Sequence, residues 1–220
     1  MNSTRLLAGQ DNFNVYAVEP NEEMRKELTK NVPNIKIYDG TASCMPFEDH
    51  FFQIVFIAQA FHWFSNSESL REIHRVIMPQ RKCKIGKSGL LLIWNMEDRE
   101  VEPYIGELRD LYEKYDFAVP QYRKNEWKNT FKKNDSLFDD LNSQFVKNLN
   151  IYLPVSDVWK RVVSKSYIAS LKESEKEILK GQVEQVIEKY KNKQVQIAGS
   201  NEMSLHFPHY TEITWCYNKN

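Results

Sequence analysis

Glycine is scarce in this chain: seven in 220 residues, where an ordinary domain of that size carries about twice as many. No two of them form GxG. No GxSxG, Walker loop or HExxH occurs either, which removes the commonest serine-hydrolase, nucleotide-hydrolysing and zinc-protease readings. Cysteine is rarer still. Cys44, Cys83 and Cys216 lie far apart and are odd in number, so no disulfide framework is expected, and a reduced, cytoplasmic protein is. Excess charge is missing as well, with thirty basic residues balancing thirty acidic ones. Binding to nucleic acid or to an anionic membrane is therefore not expected. No run approaches the ~18 apolar residues of a membrane span, and MNSTRLLAGQDNF has no apolar core, so no secretory signal is expected. His62, His74, Cys44 and Cys83 do not fall at ligand spacings, and no metal is expected.

What the chain does hold is an alternation of β-rich and helical runs. Asn14–Pro20 predicts a strand, and Asn21 is placed to cap a helix over EEMRKELTKN. Asn34–Gly40 predicts a second strand closed by Asp39-Gly40. The almost unbroken apolar run Phe51–Ala60 predicts a third, buried on both faces. Ser67–Val76 predicts a helix, and Gly89–Asn95 a fourth apolar strand. Strands separated by helices mean a largely parallel, covered sheet, so the fold class is α/β.

The second half differs. Val101–Tyr115 reads as an amphipathic helix, Phe117–Asp140 as a polar, aromatic-studded lid segment, and Ser174–Glu177 as a capping box before a long helix. The terminal runs MSLHF and YTEITWCY, joined through Pro208-His209, predict an antiparallel pair at a sheet edge. Three segments are expected: 1–100 as a cofactor-binding half, 101–193 as a helical, substrate-side part, and 194–220 as the terminal strand pair. Four basic residues in Met78–Ser88 form an unusual loop between helix and strand.

In open parallel sheets, ligands sit beyond the carboxyl ends of the strands. The first predicted strand ends in Glu19, whose carboxylate suits a pair of ribose hydroxyls, although a plain strand end carries such a residue too. The second ends in Asp39-Gly40-Thr41-Ala42, a tight turn with small residues that let backbone amides approach a flat base. The third ends in Ala58-Gln59-Ala60-Phe61-His62-Trp63, small at the tip and aromatic at the rim.

The strings NVYAVEPNEEM, DGTASCMPFEDHFFQIVFIAQAFHWF, LREIHRVIMP and GLLLIWN together resemble the class I S-adenosylmethionine-dependent methyltransferases. The nearest likeness is to the methyltransferase type 11 group, in the branch similar to trans-aconitate methyltransferases, and it extends over WKRVVSKSYIASL and FPHYTEITWCY. The resemblance implies a Rossmann-like sheet and S-adenosylmethionine as cofactor. It places Glu19, Met24, Thr41, Ala42, Gln59 and Ala60 against that cofactor, and His62 as the candidate base. Trp63 and Asn95 would face a small-molecule acceptor. Tyr122, Arg123 and Trp127 join the acceptor side by residue type, Arg123 as a carboxylate partner.

One feature departs from the resemblance. A Gly-rich loop would precede Glu19 by about 20 residues, at or before Met1. The chain is accordingly expected to start just downstream of that loop and to lack the first, central strand, as a truncated coding sequence or a natural relative. Met78–Ser88 stands where the family has a short Pro-Gly turn. The expected function is methyl transfer to a small molecule, a carboxylate among the candidates. The alternative is a non-catalytic relative acting as a binding module. A nicotinamide dehydrogenase fits poorly, lacking GxGxxG. The oligomeric state is not readable.

Overall fold

The computed structural model describes residues 2–84, 86–117, 119–149 and 151–219. In chain order the elements are α1 (Asn2–Ala8), β1 (Tyr16–Val18), α2 (Glu22–Asn31), β2 (Lys36–Tyr38), β3 (Ile54–Ala58), α3 (Ser67–Val76), β4 (Gly89–Glu97) and α4 (Pro103–Glu113). They continue as α5 (Lys128–Lys133), β5 (Asn142–Leu149), β6 (Tyr152–Pro154), α6 (Val155–Val163), α7 (Ser166–Ala169), α8 (Glu173–Lys189), β7 (Val195–Gln196), β8 (Met203–His206) and β9 (His209–Tyr217).

The α/β class holds. β1 pairs with β2 in parallel, Val18 opposite Tyr38, and β3 pairs with β4 in parallel, Ala58 opposite Ile93. The sheet containing β3 runs β3-β4-β9-β5, β1 and β2 form a sheet of their own, and β6-β8-β7 form an antiparallel one. The two C-terminal runs are strands, as expected, but they join different sheets. Phe207 N–H donates to the Ile151 carbonyl on the β6 side, whereas Asp98 N–H donates to the Pro208 carbonyl beyond the end of β4. A two-residue hairpin between them would need positive φ at its central residues, which Pro208 cannot adopt.

The chain divides into two compact units, one of Met1–Ile93, Tyr122–Ser143 and Ile213–Asn220, the other of Trp94–Gln121 and Gln144–Glu212. They interleave along the sequence, so the three consecutive spans expected do not coincide with them.

In the first unit, local signals act where the sequence places them. Asn21 accepts from Met24 N–H and Asn66 from Ser69 N–H, each at 2.9 Å, starting α2 and α3. Leu70, Ile73 and Val76 bury one stripe of α3. β3 is less buried than its apolar run predicts: Ile54 is 44% exposed and the rest of the strand half-buried. Burial depends on neighbours on both sides of a strand, and β3 is the end strand of its sheet. Beside it, Tyr16, Phe47, Phe51 and Phe52 form an aromatic cluster with centroids 4.7–6.0 Å apart. The expected polar lid is a correction. Its residues 122–133 fold as a turn and α5, and Trp127 and Phe131 pack on Phe61. The Met78–Ser88 loop closes on itself: the Gln80 amide donates to the Ser88 carbonyl (2.8 Å) and accepts its N–H (3.2 Å), and the Ser88 hydroxyl donates to the Met78 carbonyl (2.6 Å).

In the second unit, α4, α6 and α8 bury Tyr104, Leu108, Val158, Val162, Leu179 and Val183 around one core. α8 begins at Glu173, earlier than the Ser174 cap expected, because the Glu175 carboxylate accepts the Lys172 N–H at 3.1 Å and fixes the first turn there. No helix of the described residues is long and apolar enough to cross a membrane.

Candidate cofactor-binding site

The site is built from the carboxyl ends of β1, β2 and β3 in the first unit. β1 hands over to α2 through Glu19, Pro20 and Asn21. The Glu19 backbone N–H donates to the Tyr38 carbonyl (3.1 Å), continuing the β1–β2 ladder, and one carboxylate oxygen accepts the Asn21 N–H (2.9 Å). The other, Oε2, has no protein partner among the described residues. The Glu19 side chain is thus steered by one bond, with an oxygen left for a hydroxyl donor. Met24, one turn into α2, is 48% exposed.

Arg25 ties the two strand ends together. Its Nη1 donates to the Glu19 and Pro20 carbonyls and to Asp39 Oδ1, each at 2.8 Å. Sequence reasoning missed Arg25; the available signal was a cation one turn after the acidic strand end, facing an Asp-Gly turn. Gly40 then lets the chain fold close. A Cβ there would stand 3.0 Å from the Cys44 carbonyl oxygen and 3.1 Å from Val18 Cγ1. Thr41 and Cys44 bond reciprocally (3.0 and 3.2 Å), leaving Ala42 half-buried at the tip of a closed turn.

The end of β3 is held by β4, since Gln59 N–H donates to the Ile93 carbonyl at 2.8 Å. Gln59 sits at φ 58°, in the left-handed region that a glutamine seldom adopts, and its residue is exposed. Such strain persists where surrounding structure enforces it, and it collects at ligand sites. After Ala60 comes a single 3-10 turn, Phe61–Trp63. Phe61 is fully buried, Trp63 is 48% exposed, and His62 lies between them with its ring 5.4 Å from that of Trp63. Burial lowers the His62 pKa to about 4, so the ring is neutral at neutral pH and a weak base.

Glu19, Thr41 and Ala42 therefore gather around the Arg25 tie, while Gln59, Ala60, His62 and Trp63 gather at the β3 end. The residues expected on the acceptor side divide between the two units. Trp127 is 1% and Tyr122 7% exposed, and the indole N–H donates to the Tyr122 carbonyl (3.2 Å). Both are buried, and the Trp127 ring packs on those of Phe61 and Phe131. Arg123 is half-buried beside them. Asn95 belongs to the second unit, where its Oδ1 accepts from the Thr211 hydroxyl at 2.7 Å. A shallow depression lined by Ala8, Phe13, Tyr16, Asn34 and Lys36 lies at the opposite ends of β1 and β2. Among the described residues, no three His, Cys, Asp or Glu side chains gather as a metal would require.

Comparison with known proteins bears on this constellation directly. Residues 2–83 match the family model for a methyltransferase domain. That span holds every strand end described above. An uncharacterised methyltransferase-like protein of Schizosaccharomyces pombe is 35% identical over 117 residues, 53% of this chain, and an uncharacterised methyltransferase of the same yeast is 38% identical over 110 residues, 50% of it. The aligned stretches are 43% and 40% of those proteins, so the chain spans less than half the length of these curated relatives. A Bacillus halodurans crystal structure, assigned as a methyltransferase, superposes with a TM-score of 0.51 at 17% identity, covering 92% of this chain and 82% of that one. That likeness shows the fold, a Rossmann-like methyltransferase sheet. The family match and the relatives make the first part of the chain similar to methyltransferase domains.

Proposed function

We propose that the protein is an S-adenosylmethionine-dependent methyltransferase acting on a small molecule. The single observation that carries this reading is the Glu19–Arg25–Gly40 arrangement inside the matched methyltransferase segment: a steered strand-end carboxylate beside a turn where any Cβ would press on its neighbours. These features fit the nucleoside of such a cofactor. Glu19 would accept from the ribose hydroxyls, Thr41 and Ala42 would lie against the adenine, and Met24 would flank it. Gln59 and Ala60 would line the floor under the methionine part. When bound, S-adenosylmethionine supplies an electrophilic methyl on sulfur.

The chain's own residues then bind, orient and exclude water. His62 is proposed as the base, kept neutral by burial and so able to accept a proton from an acceptor hydroxyl or amine. A carboxylate acceptor would need no base. Trp63 offers an exposed aromatic face beside it, and Arg123, of the same unit, remains a proposed acceptor contact.

The test is calorimetric titration of the 220-residue chain with S-adenosylhomocysteine, after cooperative unfolding has been confirmed. Saturable binding is expected, weakened at least about tenfold by Glu19→Ala. A cooperatively folded chain that does not bind, or a Glu19→Ala variant of unchanged affinity, overturns the reading or the residue respectively.

A further inference from the structure

The second unit holds a charge cluster that the cofactor reading leaves unused. Glu97, the last residue of β4, is 4% exposed. Its Oε1 accepts from Arg161 Nε (2.9 Å) and Lys165 Nζ (3.1 Å), its Oε2 from the Tyr112 hydroxyl (3.3 Å), and its backbone carbonyl from Arg109 Nη1 (2.8 Å). Burial alone would raise the Glu97 pKa, but Lys165 and Arg161 hold it down to about 2. Glu97 is therefore an anion across the physiological range.

Arg109 is matched by Glu113 at 2.7 Å, which leaves the Glu97 carboxylate facing both Arg161 and Lys165. His209, at the start of β9, adds nothing. Its Nδ1 donates to the Phe207 carbonyl (2.7 Å), so Nε2 is the bare nitrogen and accepts from Arg161 Nη2 (3.3 Å). Burial also lowers its pKa, and the ring is neutral. From α4, Tyr112 is held protonated by burial. Glu212 stands three residues along β9, on the opposite face of the strand, and Asp98 follows Glu97 and accepts the Glu100 N–H. Burial lowers the Lys165 pKa while Glu97 raises it, and Asp98 and Glu212 are themselves buried carboxylates, so Arg161 is the cation on the Glu97 carboxylate that stays charged throughout.

Of the three paired side chains, one is open to solvent. The Glu97 side chain is 5% exposed and that of Lys165 17%, but that of Arg161 is 42%. Two of the three guanidinium nitrogens are pinned, Nε by Glu97 and Nη2 by His209, so the plane is fixed. Nη1 has no protein partner among the described residues. A fixed guanidinium with an open edge is prepared for an oxyanion, with little side-chain entropy left to lose on binding.

We propose that Arg161, backed by Lys165, binds an anionic oxygen group, a carboxylate or a phosphate, of a small-molecule ligand. The site lies wholly within the second unit and does not depend on the cofactor reading.

The test titrates citrate and inorganic phosphate separately into the full chain without cofactor, following the His209 ring resonances by NMR. A saturable shift is expected, because an anion on Arg161 alters the group bonded to His209 Nε2. A response to citrate alone identifies a carboxylate site, and a response to phosphate alone a phosphate site. Arg161→Gln should weaken binding at least about tenfold. Arg161→Lys, which keeps the charge and can retain the Glu97 pair, should lie between and serves if the first variant does not fold. A His209 ring that responds to neither anion in the folded wild-type chain, or responds equally in both variants, makes the cluster a structural clamp and overturns the proposal. Because no cofactor is present, that failure leaves the cofactor reading untouched, and failure to bind S-adenosylhomocysteine leaves this site untouched.

Discussion

Arg25 Nη1 stands 2.8 Å from Asp39 Oδ1, and the same nitrogen reaches the Glu19 and Pro20 carbonyls, so one guanidinium on α2 joins the ends of β1 and β2. The Asp39 side chain is 73% exposed, and an ion pair with so wet a partner is worth little. The carbonyl bonds matter more, since Arg25 itself is 21% exposed and donates a charged hydrogen bond to backbone.

Arg25→Ala is therefore expected to lower stability by about 1–2 kcal/mol, and Asp39→Asn by less than about 0.5 kcal/mol. Urea unfolding of both variants checks this. The reverse ranking would mean that the ion pair, not the carbonyl tie, holds the strand ends.

Gln59 at φ 58° carries a strain of about 1 kcal/mol that glycine would not feel. Gln59→Gly should stabilise the chain by a few tenths of a kcal/mol, glycine's extra freedom in the unfolded chain offsetting part of the gain. The same variant should bind S-adenosylhomocysteine more weakly. Stability gained with affinity unchanged would remove the Gln59 side chain from the site.

His62 has a folded pKa of about 4 against an ordinary 6.5, through burial. The folded state thus resists the proton that the unfolded state takes up below 6.5. Its contribution is complete above that pH and fades as pH falls toward 4, by up to about 3 kcal/mol. Unfolding free energies of the wild type and His62→Gln, measured between those limits, should converge as pH drops. Parallel curves would place the His62 pKa near its ordinary value.

A Cβ on Gly89 would stand 2.2 Å from the Cys216 carbonyl oxygen and 3.0 Å from Tyr217 Cα. Backbone meets backbone there, so no rotamer relieves the clash. Gly89→Ala should cost roughly 3 kcal/mol or more and separate the start of β4 from β9, read as lower thermal stability with lost sheet circular dichroism. A variant as stable as the wild type would mean that the two strands can part without penalty.

The strand-helix alternation was legible because its causes are local. Apolar runs mark β3 and β4, and Asn21 caps α2, the helix after β1. The strand ends carrying Glu19, Gly40 and Gln59 could be found for the same reason. What failed was whatever depends on a distant partner. The exposure of β3 is set by which strands flank it, and an apolar run does not report that. Trp127 looks like a pocket aromatic by residue type, yet its ring packs on Phe61, far upstream, and is core. Glu97 meets Arg161 and Lys165 across 64 and 68 residues, a distance over which periodicity says nothing.

The self-closed neck at Gln80 and Ser88 separates chain continuity from fold continuity. Arg81, Lys82 and Lys84 are exposed beyond it, so a trypsin-like protease would find its cleavage sites there. The cut ends would stay attached, because the Gln80 amide grips Ser88 across the break and the β3–β4 ladder spans it. The nicked protein would migrate as two fragments in denaturing gels and as one particle in native buffer.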